Sequence, residues 1–358
     1  MISRCLFAAL FCFFLGCTSK QPTPKATPAA KPQNPLATLE GNVALDFSPD
    51  GKWLAVGAEL IDTSSWTITA KLEERVSDKN PKSKNHWGYT SAAFSPDSKH
   101  LVLGDQDGTL RILDVPSMVM THELLAHGAR ITGIGFAADN ETIVTTSVDD
   151  FIRLRVWNMR TDQEIFRSAS MLPANNQDPT TADIVDAIDV FALSPNRELF
   201  AAADVMSKIV VGRVQDGKVL HSFKGPQGDK VEMDSLAFTG DSNKLWIGVT
   251  PNIHVQAVNG EPAGNPIATK ADSTSLQAKV IPDTGMMVLY YYHQTAKAPV
   301  IEFYDGANNK SLGCFVPDVS RGNYWAISQD GKYIATVSRG GPIRIWDVAE
   351  VMKNLLTS

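Results

Sequence analysis

The side chains that most often carry chemistry are scattered along this sequence. None of its seven histidines pairs with another at a spacing of two or four residues, and no Cys-x-x-Cys motif occurs, so zinc-site spacing is absent. Asp178, Asp183, Asp186 and Asp189 cluster without the spacing of a calcium loop, which favours a solvated acidic loop. No nucleophile elbow is present. The sequence therefore predicts no catalytic residue, no metal and no cofactor.

A recurring turn motif predicts the elements that position these side chains. Phe47 precedes Ser-Pro-Asp-Gly, and similar runs follow anchors at 94, 136, 193, 238, 280 and 327. Ser-Pro-Asp-Gly suits a type I turn, and short apolar runs flank it as strands. A period in the low forties that holds one turn and four strands is typical of a propeller blade. The sequence therefore predicts an all-β fold, a seven-bladed β-propeller of four-stranded antiparallel blades.

The two ends of this region are predicted to close the ring. A strand at 36–39 precedes the first repeat, and the last repeat stops at its third strand, 343–348. The N-terminal strand would then join the last blade as its outer strand. We expect the propeller over 36–350 and a C-terminal tail over 351–358, with one short helical turn near 350–356.

Three segments carry a resemblance to a known family. The runs 107–114, 155–158 and 342–347 resemble the strand that ends in Trp-Asp in WD-repeat propellers. Ala126-His127 resembles the Gly-His element of the same family, with Ala in place of Gly. The resemblance covers about residues 36–350, and its motifs are clearest in blades 2, 3 and 7.

The resemblance also implies a buried hydrogen-bonded set. In WD-repeat propellers a His, a strand Ser or Thr, a turn Asp and the Trp form this set. The matching positions here are His127, Ser147, Asp149 and Trp157. We interpret them as structural residues rather than as residues with a chemical role.

The N-terminal segment predicts export and a lipid anchor. Residues 1–16 have a positive charge followed by an apolar run that suits a signal peptide and is too short to span a bilayer. Phe14-Leu15-Gly16-Cys17 resembles the bacterial lipobox, which implies acylation of Cys17. A plain secreted protein and an uncleaved anchor are the alternatives. Residues 17–35 are Pro-rich and predict an extended tether that reaches on the order of 55 Å.

The expected location follows from that anchor. We expect an extracytoplasmic protein that is lipid-anchored to a bacterial membrane. The outer membrane is favoured over the inner because Thr18, rather than Asp, follows Cys17. Cys314 would be the only thiol left after processing, so no disulfide is expected. The formal net charge of −6 argues against nucleic acid as a partner.

Recognition is expected at the loops that join one blade to the next. In the family's layout these loops line one rim of the ring, the top face, and long loops on a rigid scaffold often carry function. Aromatic and Arg side chains dominate binding hot spots. The candidate partner-binding residues at or near this rim are Trp87, Arg130, Arg321, Tyr324 and Trp325.

The sequence favours a non-catalytic, monomeric scaffold that binds an unidentified envelope protein or peptide. The first alternative is a small-molecule or glycan binder that uses the central funnel and the run Tyr290-Tyr291-Tyr292-His293. That run also fits a strand filled with aromatic side chains between two blades. The second alternative, a propeller-type enzyme, requires clustered polar residues at the mouth of the channel.

Overall fold

The predicted fold class is confirmed by a computed structural model of the chain. It describes residues 33–40, 44–73, 88–148, 154–168, 188–204, 207–226, 233–250, 252–268, 276–281, 284–293, 297–306, 308, 310–317, 324–337 and 341–356. All of these residues belong to one compact unit. Within them, seven four-stranded antiparallel sheets follow one another as the blades of a β-propeller.

The first part of the chain forms one strand that belongs to the last blade, and then three blades. The strand is β1 (Ala37–Leu39). Blade 1 holds β2 (Leu45–Phe47), β3 (Trp53–Val56), β4 (Glu59–Asp62) and β5 (Thr67–Lys71). Blade 2 holds β6 (Ser91–Phe94), β7 (His100–Gly104), β8 (Thr109–Asp114) and β9 (Val119–Leu125). Blade 3 holds β10 (Ile131–Phe136), β11 (Thr142–Ser147), β12 (Leu154–Asn158) and β13 (Gln163–Arg167).

Four further blades complete the ring. Blade 4 holds β14 (Ile188–Leu193), β15 (Leu199–Asp204), β16 (Lys208–Arg213) and β17 (Val219–Lys224). Blade 5 holds β18 (Ser235–Phe238), β19 (Lys244–Val249), β20 (Asn252–Ala257) and β21 (Ile267–Ala268). Blade 6 holds β22 (Leu276–Val280), β23 (Met286–His293), β24 (Ala298–Asp305) and β25 (Lys310–Phe315). Blade 7 holds β26 (Tyr324–Ile327), β27 (Tyr333–Val337) and β28 (Ile343–Asp347), and α1 (Val348–Leu356) follows.

The first strand of each blade lies nearest the ring axis. The inner strands β2, β6, β10, β14, β18 and β22 contact one another in succession, and β2 also contacts β26. Every inner strand therefore runs in the same direction along the central channel. We call the end where these strands begin the top face, and the end where they turn into the second strand the bottom face.

The turn motif forms the bottom face. In blade 1 the Ser48 hydroxyl donates to Asp50 Oδ1 at 2.7 Å and accepts the Trp53 N–H at 2.9 Å. The fourth turn residue has a positive φ, 73° at Gly51 and 61° at Arg197. Such a backbone conformation favours Gly and Asn, which explains the Gly that follows Asp in the motif.

The blades are held together by apolar side chains that pack between neighbours. Between blades 6 and 7, the buried side chains of Tyr290, Trp325 and Trp346 belong to one cluster. Between blades 7 and 1, Phe47 packs with Ile345. Because a blade is apolar on both faces, it stays dry only when another blade covers each side. Full burial of one such side chain contributes roughly 1.5–3 kcal/mol.

The N-terminal strand closes the ring. Strand β1 pairs antiparallel with β28, with Ala37 opposite Ile345 and Leu39 opposite Ile343. It is thus the outer strand of blade 7. This pairing is consistent with the closure that the sequence predicts.

A C-terminal helix packs beside this closure. Asp347 begins the helix, since its Oδ1 accepts the N–H of Glu350 at 2.9 Å. Val351 is buried in the cluster between blades 6 and 7, and Leu355 lies against Gly313 of β25. The compact fold therefore continues past residue 350, into the segment expected to be a tail. No helix in the described ranges has the length and apolar run needed to cross a membrane.

Candidate functional site

The His and Trp of the predicted hydrogen-bonded set meet in blade 3. His127 lies in the connection between β9 and β10, and Trp157 lies on β12; both are buried. The hydroxyl that joins them belongs to Thr145 on β11. His127 Nε2 lies 2.8 Å from Thr145 Oγ1, and the Trp157 indole N–H donates to the same oxygen at 3.2 Å.

The joining residue is thus Thr145, two positions before the expected Ser147. In blade 7 the Trp346 N–H donates to Thr336 Oγ1 at 3.0 Å, ten residues earlier in the chain. The connection between β11 and β12 is two residues longer, so the same strand register places the partner of Trp157 twelve residues earlier. Ser147 instead donates to the Ala129 carbonyl at 3.0 Å. The fourth predicted member, Asp149, lies outside the described residues.

Two of the five predicted partner contacts are exposed at the top face. Arg130 is exposed just before β10, and Tyr324 is 37 % exposed at the start of β26. The neighbour of Arg130 is Val148, 39 % exposed, whose N–H donates to the Arg130 carbonyl at 3.2 Å; Leu125, 47 % exposed at the end of β9, lies on the same face. We call Leu125, Arg130 and Val148 the top-face patch. Its apolar members carried no motif, so sequence reasoning missed them.

The other three predicted contacts are placed differently or lie outside the described residues. Trp325 is 4 % exposed and is not available to a partner at the surface. Its ring stacks with Tyr290 at 6.2 Å between blades 6 and 7, and its N–H donates to Gln277 Oε1 at 2.7 Å. Trp325 is therefore a core residue of the blade interface. Trp87 and Arg321 lie outside the described residues.

The tyrosine run is largely interior. Tyr290 and Tyr291 are 1 % and 0 % exposed, so neither ring offers a face to a sugar. The Tyr291 hydroxyl donates to Glu302 Oε2 at 3.1 Å, and the Ser311 hydroxyl donates to the other carboxylate oxygen. This supports the interpretation of the run as an aromatic-filled strand.

A group of charged residues in the central channel was not predicted. Asp46 and Lys279 both stand one position before the anchor of their repeats, Phe47 and Val280. The other five blades have only Ala or Gly at this position, namely Ala93, Gly135, Ala192, Ala237 and Ala326. Blades 1 and 6 thus place opposite charges where every other blade keeps a minimal side chain.

Both side chains reach across to the inner strand of the next blade. Asp46 Oδ2 accepts the N–H of Phe94 at 2.9 Å, and Lys279 Nζ donates to the Trp325 carbonyl at 2.9 Å. The Lys279 ammonium also lies 4.9 Å from the centroid of the Trp325 ring. These backbone groups lie on the edge of an inner strand that no other strand pairs, and that edge faces the channel.

A third charge comes from the turn of blade 4. Asp46 interacts electrostatically with both Lys279 and Arg197. These residues belong to blades 1, 6 and 4. No two of these blades are neighbours, so the three side chains can approach one another only across the central channel. We call Asp46, Arg197 and Lys279 the channel cluster; it lies at the bottom end of the channel.

Arg197 departs from a hydrogen-bonding pattern among the turns. At the same turn position, Ser98 and Asn140 accept a backbone N–H from the turn of the preceding blade, at 3.0 and 2.8 Å. Ser242 does the same at 3.3 Å. A guanidinium has no acceptor, so Arg197 cannot take this role.

The surroundings shift the pKa of all three groups. Burial among the channel walls raises the pKa of Asp46 to about 6, although the Phe94 N–H, Lys279 and Arg197 act in the opposite direction. Desolvation lowers the pKa of Lys279 and of Arg197, and Asp46 opposes that change in both. Lys279 is nevertheless exposed to solvent, because the channel around it is open to water. In the part of the chain that the structure describes, no group of three His, Cys, Asp or Glu is placed to hold a metal ion.

Comparison with known proteins agrees with the fold. A family model described as WD40, "WD domain, G-beta repeat", matches residues 33–63, 81–114 and 118–156. The matches fall on blades 1 to 3. The chain thus contains segments similar to WD40 repeats within a seven-bladed propeller. The Trp346 strand of blade 7 and the three blades before it lie outside these matches.

The similar proteins share only part of their length with this chain. NACHT domain- and WD repeat-containing protein 1 of Mus musculus is 32 % identical over 95 residues, which are 26 % of this chain and 6 % of that protein. An uncharacterized WD repeat-containing protein of Synechocystis is 28 % identical over 158 residues, 44 % of this chain and 42 % of that protein. This chain therefore spans less than half the length of these relatives.

A solved structure supports the fold over the whole ring. A chain in the crystal structure of the mitotic checkpoint complex superposes with a TM-score of 0.68 at 15 % identity. The alignment covers 96 % of this chain and 99 % of that chain. At this identity the likeness concerns the fold alone.

Proposed function

We propose that this propeller is a non-catalytic scaffold that binds a protein or peptide at its top face. The observation that carries the proposal is the top-face patch. Arg130 and Val148 lie side by side and are both exposed, and Leu125 is exposed on the same face at the end of β9. Arg is among the residues enriched at interface hot spots.

The similarity to WD40 repeats supports the same proposal, since propellers of this kind commonly act as interaction scaffolds. Tyr324 adds a second, aromatic candidate contact. It belongs to blade 7, three blades away from blade 3 around the ring. A partner that contacts both positions would therefore extend across the mouth of the channel.

The test is cross-linking in the native envelope followed by mass spectrometry, with wild-type protein, Arg130→Glu and Tyr324→Ala. We expect Arg130→Glu to reduce the captured partner at least tenfold, because reversing a hot-spot charge replaces attraction with repulsion. Lys244→Glu reverses an exposed charge at the bottom end of β19 and serves as the matched control. Equal capture by Arg130→Glu and wild type, or turnover on a hydrolase panel that a top-face substitution abolishes, would contradict the proposal.

The setting is part of the proposal. We place the propeller outside the cytoplasm, held to a bacterial membrane by acylated Cys17 and a tether over residues 17–35. The lipobox-like run Phe14-Leu15-Gly16-Cys17 supports this. Two or more acyl chains give stable anchoring, since each buried methylene contributes roughly 0.8 kcal/mol.

Labelling with a fatty acid analogue tests the anchor. Wild-type protein should incorporate the label and sediment with membranes, whereas Cys17→Ala should lose both properties. Cys314→Ala is the control, because that thiol is buried inside blade 6. Unlabelled wild-type protein would overturn the anchor and would leave the binding role of the top face to be judged by the cross-linking experiment.

A further inference from the structure

Within the described ranges, the channel cluster has hydrogen-bond donors that no protein acceptor uses. Lys279 donates one of its three N–H groups to the Trp325 carbonyl. Over the described residues, the Arg197 guanidinium makes no hydrogen bond and interacts only electrostatically, with Asp46. Arg197 is partly buried, so its guanidinium N–H groups are only partly accessible to water. Both cations act on the same carboxylate, that of Asp46, and open donors on two cations beside one carboxylate favour an anionic oxygen ligand.

Solvent reaches the cluster where it lies in the channel. Lys279 is exposed, and Asp46 and Arg197 are partly exposed, so an anion can approach both cations from the water in the channel.

We propose that the bottom end of the central channel binds a small solute through a carboxylate or phosphate group, and that Lys279 and Arg197 are the residues that hold this oxyanion. The Lys279 ammonium supplies a point charge with rotatable donors, and the Arg197 guanidinium supplies a planar fork that matches two oxygens. The site lies at the opposite face from the top-face patch. The proposal of an anion site is therefore independent of the proposal that the top face binds a partner.

Asp46 makes this binding depend on pH. Its carboxylate faces both cations, and the other residues at the same level of the inner strands carry no charge. With Asp46 ionised the cluster has one net positive charge, and with Asp46 protonated it has two. Because its pKa is raised to about 6, the second state is populated below that pH. Anion affinity should therefore rise as pH falls through this range.

The repeats themselves supply variants that preserve the fold. Lys279→Ala and Asp46→Ala install the residue that four other blades have at this position. Arg197→Asn installs the residue that blade 3 has in the same positive-φ turn position, where Asn140 has φ 64°. Lys244→Ala removes an exposed cation from the bottom end of β19, outside the channel, and is the control.

Isothermal titration calorimetry of the full chain with inorganic phosphate and with succinate provides the first test. We expect saturable one-to-one binding of at least one probe, weakened about tenfold or more by Lys279→Ala and by Arg197→Asn, and unchanged in Lys244→Ala. Preference for succinate would identify a carboxylate ligand, and preference for phosphate a phosphorylated one. The absence of saturable binding for both probes, or equal affinities in the wild type and Lys279→Ala, would overturn the proposal.

Sulfate tests the pH dependence, since its own charge stays constant between pH 5.5 and 7.5. Wild-type protein should bind sulfate more tightly at the lower pH, and Asp46→Ala should bind with similar affinity at both. Circular dichroism melting of each variant confirms that the ring is folded. Wild-type sulfate affinity that does not change with pH would contradict the placement of Asp46 beside the bound anion.

Discussion

Thr145 holds the junction between blades 2 and 3 through a single buried hydroxyl. Its oxygen bonds to His127 Nε2 and accepts the Trp157 N–H, and no water reaches any of the three groups freely. Thr145→Val keeps the shape of the side chain and leaves two buried polar groups without that partner. We expect a loss of about 2–4 kcal/mol in the free energy of unfolding, measured by urea denaturation.

Thr336→Val is the matched comparison, because among the residues that the structure describes the Thr336 hydroxyl accepts only the Trp346 N–H. The loss in the free energy of unfolding caused by Thr336→Val should be about half the loss caused by Thr145→Val. If the two substitutions cost the same, His127 does not contribute through Thr145, and the account of this set is wrong.

Asp46 should lower the stability of the protein at neutral pH. The folded-state pKa of about 6 lies above the ordinary value of 3.8, so the folded protein binds the proton more strongly than the unfolded chain. The contribution of this group is therefore most favourable below about pH 4 and is lost as pH rises through 6. The two-unit change corresponds to at most about 3 kcal/mol, less where water in the channel screens the charge.

Asp46→Asn keeps an acceptor for the Phe94 N–H and removes the titration. Relative to wild type, its free energy of unfolding should increase between pH 4 and pH 7, as measured by urea denaturation at each pH. Asp50→Asn should show little change relative to wild type between pH 4 and pH 7 and the opposite slope below about pH 4, where the contribution of a carboxylate with a lowered pKa is lost as pH falls. Burial acts to raise the pKa of Asp50, but the Ser48 hydroxyl and the Lys52 N–H outweigh it and lower the pKa. A parallel response of the two variants would contradict the assignment.

Single residues were the level at which sequence reasoning succeeded least. Trp325 is predicted as a partner contact because it is aromatic and near the top rim, but strand alternation turns its ring between two blades. The channel cluster was missed because its three residues are far apart in the chain and only the closed ring brings them together. A signal was nevertheless present: Asp46 and Lys279 occupy the repeat position that is otherwise Ala or Gly.

At the scale of elements, the repeat motif predicted the inner strands well. Each anchor, such as Phe47 or Ile327, ends an inner strand or directly precedes its turn, because the turn chemistry is local. Helix α1 was expected only as one turn. It is longer because Val351 and Leu355 gain contacts with blade 6, and tertiary packing stabilises most short helices.

The packing of α1 leads to a prediction at this scale. Val351→Ala should reduce the free energy of unfolding by about 1–3 kcal/mol, because the side chain is 3 % exposed in the cluster between blades 6 and 7. Glu350→Ala, on the exposed side of the helix, should change it by less than about 0.5 kcal/mol. Thermal melting measures both changes. Equal melting temperatures for wild type and Val351→Ala would show that the helix does not pack as described.

At the scale of the whole molecule, the ring depends on a strand of three residues. Strand β1 covers the outer edge of β28, and it joins the two ends of the chain in one blade. Sequence reasoning found this closure because the last repeat lacks one strand and the first is preceded by an extra one. Blades 4 to 6 carry weak copies of the repeat motif, yet each has four strands. Packing against the neighbouring blades stabilises the four-stranded sheet even where the motif residues differ.

An engineered disulfide between β1 and β28 tests the closed ring most directly. Thr38 lies opposite Arg344, so Thr38→Cys/Arg344→Cys should form a bond within one chain in a protein that starts at Gln33 and carries Cys314→Ala. Thr38→Cys/Asp347→Cys is the control, because Asp347 lies roughly 10 Å further along the strand. The account predicts an intrachain bond in the first pair alone, identified by peptide mass spectrometry of the monomer. Free thiols, or a bond only between two chains, would contradict it.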